Sequence, residues 1–271
     1  MPSFGIRVDP GKKFALKSVD PDDTGGFKGK DDPRVAEQRE ADIKRLAELQ
    51  QRFLAEKKHA LLVVLQAMDT AGKDGVLRHV VGPLDSRGAS VVSFKAPCPD
   101  ELAHDFLWRV HSRAPAKGEM VFWNRSHYED VLVVRVLGLK PEHVWKRRYG
   151  HINDFERMLT DEGTRVVKFY LHISKDEQKE RLQERIDEPE KRWKFDPGDL
   201  DMRRRWGDFQ DAYDDMLERC STEHAPWYVV PANKKWYRDL VVARRLVEVL
   251  EDIGPRFPEP KGLDFSKIVI D

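Results

Sequence analysis

Cysteine is nearly absent from this chain. Cys98 and Cys220 stand far apart and are too few for a disulfide framework or a four-cysteine zinc site. Two reduced thiols in a cytoplasmic protein are the expectation. Net charge is lacking as well, since 48 Lys and Arg balance 48 Asp and Glu. A chain built to coat nucleic acid would carry a basic excess, so no nucleic-acid partner is expected. No apolar run nears the roughly 20 residues that a helix needs to span a bilayer. The opening residues, MPSFGIRVDPGKKFALK, hold no apolar signal core, so no membrane partner is expected either. The nine histidines show no metal-ligand spacing, and there are neither internal repeats nor low-complexity tracts.

What is present is a globular composition, 40% hydrophobic and 10% aromatic, in a chain of 271 residues, enough to bury a sizeable core. Residues 1–33, rich in Pro, Gly and Asp, read as an arm. Residues 34–271 read as one domain. Asp31 or Asp32 is placed to cap a first helix, with Pro33 in its first turn and Ile43, Leu46, Leu49 and Phe53 on one face. From residue 60 onward, short apolar runs alternate with longer amphipathic stretches. The runs are 61–66, 90–94, 120–123, 165–173 and 227–231, most of them apolar on consecutive positions. Such strands are buried on both faces, which predicts a doubly wound α/β domain with a parallel five-stranded sheet flanked by helices. Residues 175–222 are mostly helical and heavily charged. Ser174 and Glu177 have capping-box spacing, and Pro189 breaks the first helix. This segment reads as a helical lid. A last helix over 236–252 is expected to pack on the sheet.

The chemistry concentrates in LLVVLQAMDTAGKDG, residues 61–75. This is nearly the phosphate-binding loop G-x-x-x-x-G-K-[ST]. Ala67 stands at the first glycine position, and Asp74 stands where the magnesium-binding hydroxyl belongs. A strand ending in a loop that enters a helix still offers free backbone N–H groups and a helix dipole to an anion. Thr70, Ala71, Gly72, Asp74 and Gly75 are the expected phosphate contacts, and Lys73 adds positive charge. A carboxylate inside such a loop suits a magnesium ligand, which assigns that role to Asp69.

A second constellation lies in MVFWNRSHYEDVLVVRV, 120–136. Its strand ends in Asn124 rather than a carboxylate, and Glu129, five residues on, restores one as a second metal-ligand candidate. Arg125, at the strand's C-terminal end, points to the crevice where doubly wound folds bind ligands, as a clamp for phosphoryl oxygens. His127 is placed near the site by its neighbourhood. Arg78, His79, Arg87 and Lys95 suggest a basic track for a polyanion, with the segments 145–152 and 203–206 as rival basic patches.

Together DTAGKDG, NRSHYEDVLV, WKFDPGDL and APWYVVPANKKWYRDL make the sequence resemble the polyphosphate kinase 2 family of P-loop phosphotransferases. The resemblance implies a P-loop kinase-like fold and Mg²⁺-dependent transfer, with Mn²⁺ as a substitute metal. It implies transfer between inorganic polyphosphate and AMP, ADP or ATP, with guanine nucleotides as a further class, by a homodimer or homotetramer. Asn124 and Glu129 resemble the class III pattern, which serves both mono- and diphosphates. By the same resemblance Asp69, Lys73, Arg125 and Arg185 are the catalytic set, and Arg181, Lys194 and Asp199 belong to the lid. The competing expectations are an ATP-dependent nucleoside monophosphate kinase and a binding protein without turnover.

Overall fold

A computed structural model describes residues 4–260, 262 and 265–270. Residues 1–3 of the expected arm and 261, 263, 264 and 271 of the expected domain lie outside the described residues.

The five apolar runs form strands β2 (Ala60–Ala67), β3 (Ala89–Ser93), β4 (Met120–Asn124), β5 (Thr164–His172) and β6 (Trp227–Pro231), all parallel. Among the described residues the sheet has six strands rather than the five expected. Ile6–Arg7 of the arm, β1, pairs antiparallel with β6. Two residues are too short a strand to carry a periodic signal. The order is β1-β6-β5-β2-β4-β3, so β2 is central and the chain crosses past β4 to reach β3. Ligands of doubly wound sheets bind outside the carboxyl ends of the strands, where the order reverses.

The helices are α1 (Pro33–Glu56), α2 (Lys73–Val76, continued by a π turn over Leu77–Val81), α3 (Pro99–Ala103), α4 (Trp108–His111) and α5 (Val133–Val136). They are followed by α6 (Glu142–Asp161), α7 (Lys175–Asp187), α8 (Gly198–Arg204), α9 (Trp206–Cys220) and α10 (Lys235–Ile253). Asp32, not Asp31, caps α1 by accepting from the Arg34 N–H, and Pro33 opens the helix. Side chains alternate across a strand, so β2 feeds two cores. Leu61, Val63 and Leu65 pack with Leu46, Phe53, Leu246 and Leu250 of α1 and α10. Leu62 and Val64 pack with Ile152 and Phe155 of α6 and with Phe209, Tyr213 and Met216 of α9.

The segment read as one lid divides. Lys175–Asp187, a tight turn over Pro189–Lys194, and α8 overhang the strand ends with few buried residues. By contrast, α9 buries Phe209, Ala212, Tyr213, Met216, Leu217 and Cys220 and is a core helix. That spacing is one helical face, masked in the sequence by the surrounding acidic residues. The arm is packed as well, with Val8, Leu16, Val19 and Phe27 buried. No described helix is long and apolar enough to cross a membrane.

Candidate active site

The loop after β2 and the turn after β4 meet at adjacent strand ends, with Leu65 opposite Asn124 in register. Both segments need backbone that L-residues avoid. Thr70 has φ +67° and Arg125 φ +63°, while Gly72 takes φ +106°. A non-glycine residue held there costs on the order of 1–3 kcal/mol and persists only where the surroundings fix it. Those restraints are visible. The Arg125 N–H donates to Leu65 O at 3.2 Å, and Arg181 Nη1 donates to Thr70 O at 2.9 Å.

Lys73 opens α2 and turns back to donate from Nζ to Ala67 O at 3.1 Å. Burial lowers the pKa of its ammonium; Asp69 opposes that and Arg125 adds to it. Asp69 accepts from Arg125 Nη2 at 2.9 Å through Oδ1. Asp74 accepts from Asn124 Nδ2 at 3.0 Å, joining the two motifs. Thr70 lines the cleft, and its Oγ1 is buried with no hydrogen-bond partner among the described residues.

The resulting cleft has a volume of about 350 Å³, and its lining holds eight Lys and Arg side chains against three carboxylates, Asp69, Asp74 and Glu184. It includes Arg185 and Lys194 of the expected set. It also includes Lys191, Lys235 and Arg238, which sequence reasoning missed. They arrive from the lid turn and from α10, far along the chain. His79 lines the cleft, but Arg78 and Lys95 do not; both are exposed elsewhere. Arg87 is exposed and pairs with Asp85.

A second cavity of about 240 Å³ lies across the Asp69–Arg125 pair. Met68, Val133, Leu137, Met202, Phe209 and Tyr213 give it apolar walls, and Glu129, Asp196 and Asp199 add carboxylates. Glu129 is raised in pKa by burial, opposed by Arg125 and Lys73, while Asp69 pushes it further up. Asp199 is pushed up to about 6 by burial and then by Asp69, against the pull of Arg185. Carboxylates crowding one cavity and repelling one another form a donor set that a divalent cation would relieve. Among the described residues no three of His, Cys, Asp or Glu form a ready cage. Mg²⁺ needs none, since one or two carboxylates plus substrate phosphates commonly hold it.

One expectation is corrected. His127 does not reach the cleft. It is fully buried, 3.3 Å from Glu156 Oε1, inside a cluster with Tyr128 and Phe155. A polar residue beside a motif was read as part of the motif, whereas the 3-10 turn His127–Asp130 rotates it inward. Arg181 lies on the overhanging segment and lines the cleft, as expected of a lid residue, but its guanidinium is tied down. It is buried, bound to Glu177 Oε1 at 2.7 Å and to the carbonyls of Thr70, Ala232 and Asn233. Arg185 also sits on the overhanging segment, donating to Lys194 O and to Asp199 Oδ2 at 3.0 Å.

Five parallel strands carrying a lysine loop at the central one, roofed by a helical segment whose Arg185, Lys191 and Lys194 line the cleft, define a P-loop kinase-like protein. The chain belongs to the polyphosphate kinase 2 family, whose model, Polyphosphate kinase 2 (PPK2), matches residues 29–258. The AMP/ADP-polyphosphate phosphotransferase of Meiothermus ruber is 54% identical over 98% of both chains. The ADP-polyphosphate phosphotransferase of Rhodopseudomonas palustris is 46% identical, over 80% of this chain and 79% of its own. Among solved structures, polyphosphate kinase 2 from Arthrobacter aurescens TC1 superposes with a TM-score of 0.90. It is 45% identical over 96% of this chain and 93% of that one.

Proposed function

We propose that the protein is a polyphosphate kinase that moves phosphoryl groups from inorganic polyphosphate to AMP and ADP, making ADP and then ATP. One observation carries this reading: a strongly basic cleft meets an apolar, acidic cavity at the Asp69–Arg125 pair. A long polyanion suits the first, and a nucleoside with its phosphates toward the pair suits the second. The relatives' names, AMP/ADP- and ADP-polyphosphate phosphotransferase, agree with it.

Transfer between phosphates needs alignment and charge neutralisation more than covalent chemistry. Lys73 bridges donor and acceptor phosphates. Arg125 and Arg185 close on the moving group from the strand end and from the lid, with Lys194 beside them. The acceptor is already an oxyanion, so no general base is needed. The reaction exchanges one phosphoanhydride for another and therefore runs both ways. Asp69 and Glu129 would hold Mg²⁺, or Mn²⁺ in its place, and the ion would supply charge neutralisation for the phosphates. We infer a homodimer or homotetramer in the cytoplasm. Exposed Val91, Leu102 and Trp108 offer apolar surface for the assembly.

Incubation with AMP, Mg²⁺ and long-chain polyphosphate, with no ATP, is expected to yield ADP and then ATP, and chelation of the metal is expected to stop both. A protein that works only when ATP is the donor would overturn the proposal, as would one that forms neither product.

A further inference from the structure

Four carbonyl oxygens of the phosphate loop are each taken by a side-chain donor. Lys73 takes Ala67 O at 3.1 Å and Gln178 takes Asp69 O at 3.2 Å. Arg181 takes Thr70 O at 2.9 Å and Arg238 takes Ala71 O at 3.2 Å. A carbonyl facing a phosphate would repel it. In a trans peptide the N–H lies on the opposite side from the C=O. Tying down the Ala71 carbonyl therefore aims the Gly72 N–H the other way. Runs of N–H groups so aimed make an anion-binding concavity.

Arg238 is the donor that packs against both glycines of the loop. It is 2% exposed, at the start of α10. Its Nε and Nη2 both donate to Asp239 Oδ1, at 2.8 and 2.7 Å. The other oxygen of Asp239 lies 2.7 Å from His79 Nδ1. The guanidinium fills the space that side chains on the two loop glycines would need. A Cβ on Gly72 would lie 1.7 Å from Nη1, and one on Gly75 would lie 2.5 Å from Nη2. Gly72 needs to be glycine for its backbone in any case. Gly75 does not: it sits in α2 with ordinary backbone, where alanine would otherwise favour the helix. The guanidinium of Arg238 is the obstacle.

We propose that Arg238 is a positioning residue of the transfer reaction. Anchored by Asp239, which His79 holds in turn, it sets the Ala71 peptide and so directs the loop's N–H groups at the polyphosphate donor. The inference rests on the polyphosphate reading above and extends it to a residue outside both motifs.

The test uses full-length protein, with kinetics on both substrates and binding of inorganic tripolyphosphate measured by calorimetry. Arg238→Met is expected to lower kcat/KM for polyphosphate about 100-fold, the scale of losing one preorganised donor. It is expected to weaken tripolyphosphate binding and to leave KM for AMP within about threefold. Arg238→Lys is expected to recover at least about tenfold of that loss, because one donor to Ala71 O is restored. A role in folding alone would reduce the active fraction, so both substrates would lose equally in kcat with KM unchanged, and the inference would fail. Should Arg238→Met not fold, Gly75→Ala carries the test. It is expected to cost about tenfold in the native background and less than about twofold beside Arg238→Lys, which has no fork to collide with. An equal cost in both backgrounds would mean that the alanine meets the phosphate itself, and would overturn the role of Arg238. A native protein that neither binds tripolyphosphate nor uses polyphosphate would overturn the functional reading and this inference with it.

Discussion

Ala67 and Asp74 depart from the common phosphate loop, and each departure has a local cause. Ala67 ends β2 in extended backbone, so no glycine is required there; the left-handed positions are Thr70 and Gly72. Asp74 accepts from Asn124 and ties the helix start to β4. The carboxylate absent from the end of β4 reappears as Glu129, which lines the second cavity. A monophosphate is one phosphate shorter than a diphosphate and must be held deeper, so Glu129→Asn is expected to weaken AMP use more than ADP use. A loss of about 1.4 kcal/mol of transition-state stabilisation would read as about tenfold in kcat/KM for AMP. Equal losses with both acceptors would assign Glu129 to metal or fold in general. Asp199 supplies the pH dependence. Its pKa of about 6 in the fold exceeds the ordinary value of 3.8, so the folded state binds the extra proton between them. Its ionisation therefore costs stability, fully above pH 6, and the cost fades as pH falls from 6 towards 4. Asp199→Asn is expected to raise the melting temperature at pH 7.5 and to change it little at pH 4, by calorimetry at the two pH values. At this scale Asp69, Lys73, Arg125 and Glu129 were legible because each lies in a contiguous motif whose chemistry is local. Arg238, Gln178, Lys191 and Lys235 were not. They are ordinary charged or polar residues of charged helices, and only the fold brings them to the loop.

Elements explain what the motifs cannot. Ser174 caps α7 by accepting from the Glu177 N–H at 3.1 Å, as its spacing suggested. The Glu177 side chain is diverted from the reciprocal bond to Arg181. That diversion roots α7 against the phosphate loop, while its C-terminal half, with Arg185, overhangs the cleft. The turn that presents Arg125 and Glu129 rests on a buried ion pair between β5 and α6. Lys168 Nζ meets Glu156 Oε2 at 2.5 Å, Tyr128 OH at 2.8 Å and Cys220 O at 2.6 Å, with both charged groups wholly buried. Burial would raise the Glu156 carboxyl, but Lys168 and His127 outweigh it and hold the pKa low. Removing one partner leaves a buried charge uncompensated. Lys168→Met is expected to destabilise the protein by about 3–5 kcal/mol in urea unfolding, and adding Glu156→Gln to restore much of it. A single variant as stable as the native protein would show that the pair carries no such strain. Consecutive apolar residues made β5 legible, yet they gave no reason for a lysine in its middle. Its partners lie in three other segments.

Across the whole molecule, the alternation of buried strands and amphipathic helices was enough to read a doubly wound parallel sheet. That signal comes from burial on both faces of β2, β4, β5 and β6; β3, at the sheet edge, departs from the expectation and is largely exposed. The antiparallel edge strand β1 was hidden because two paired residues leave no pattern, and α9 was hidden because its solvent face is as acidic as the lid's. The sheet order places the lysine loop centrally, with Arg125 from the neighbouring strand β4 and the lid opposite. The basic cleft and the second cavity thus meet at one ion pair. The central claim, direct transfer from polyphosphate to a nucleotide across that pair, is tested most directly with ³²P-labelled polyphosphate, unlabelled AMP and Mg²⁺, in the complete absence of ATP. The expected result is label at the β phosphate of ADP, then at both the β and γ phosphates of ATP. Label that remains in polyphosphate or free phosphate, or that enters nucleotide only once ATP is added, would contradict it.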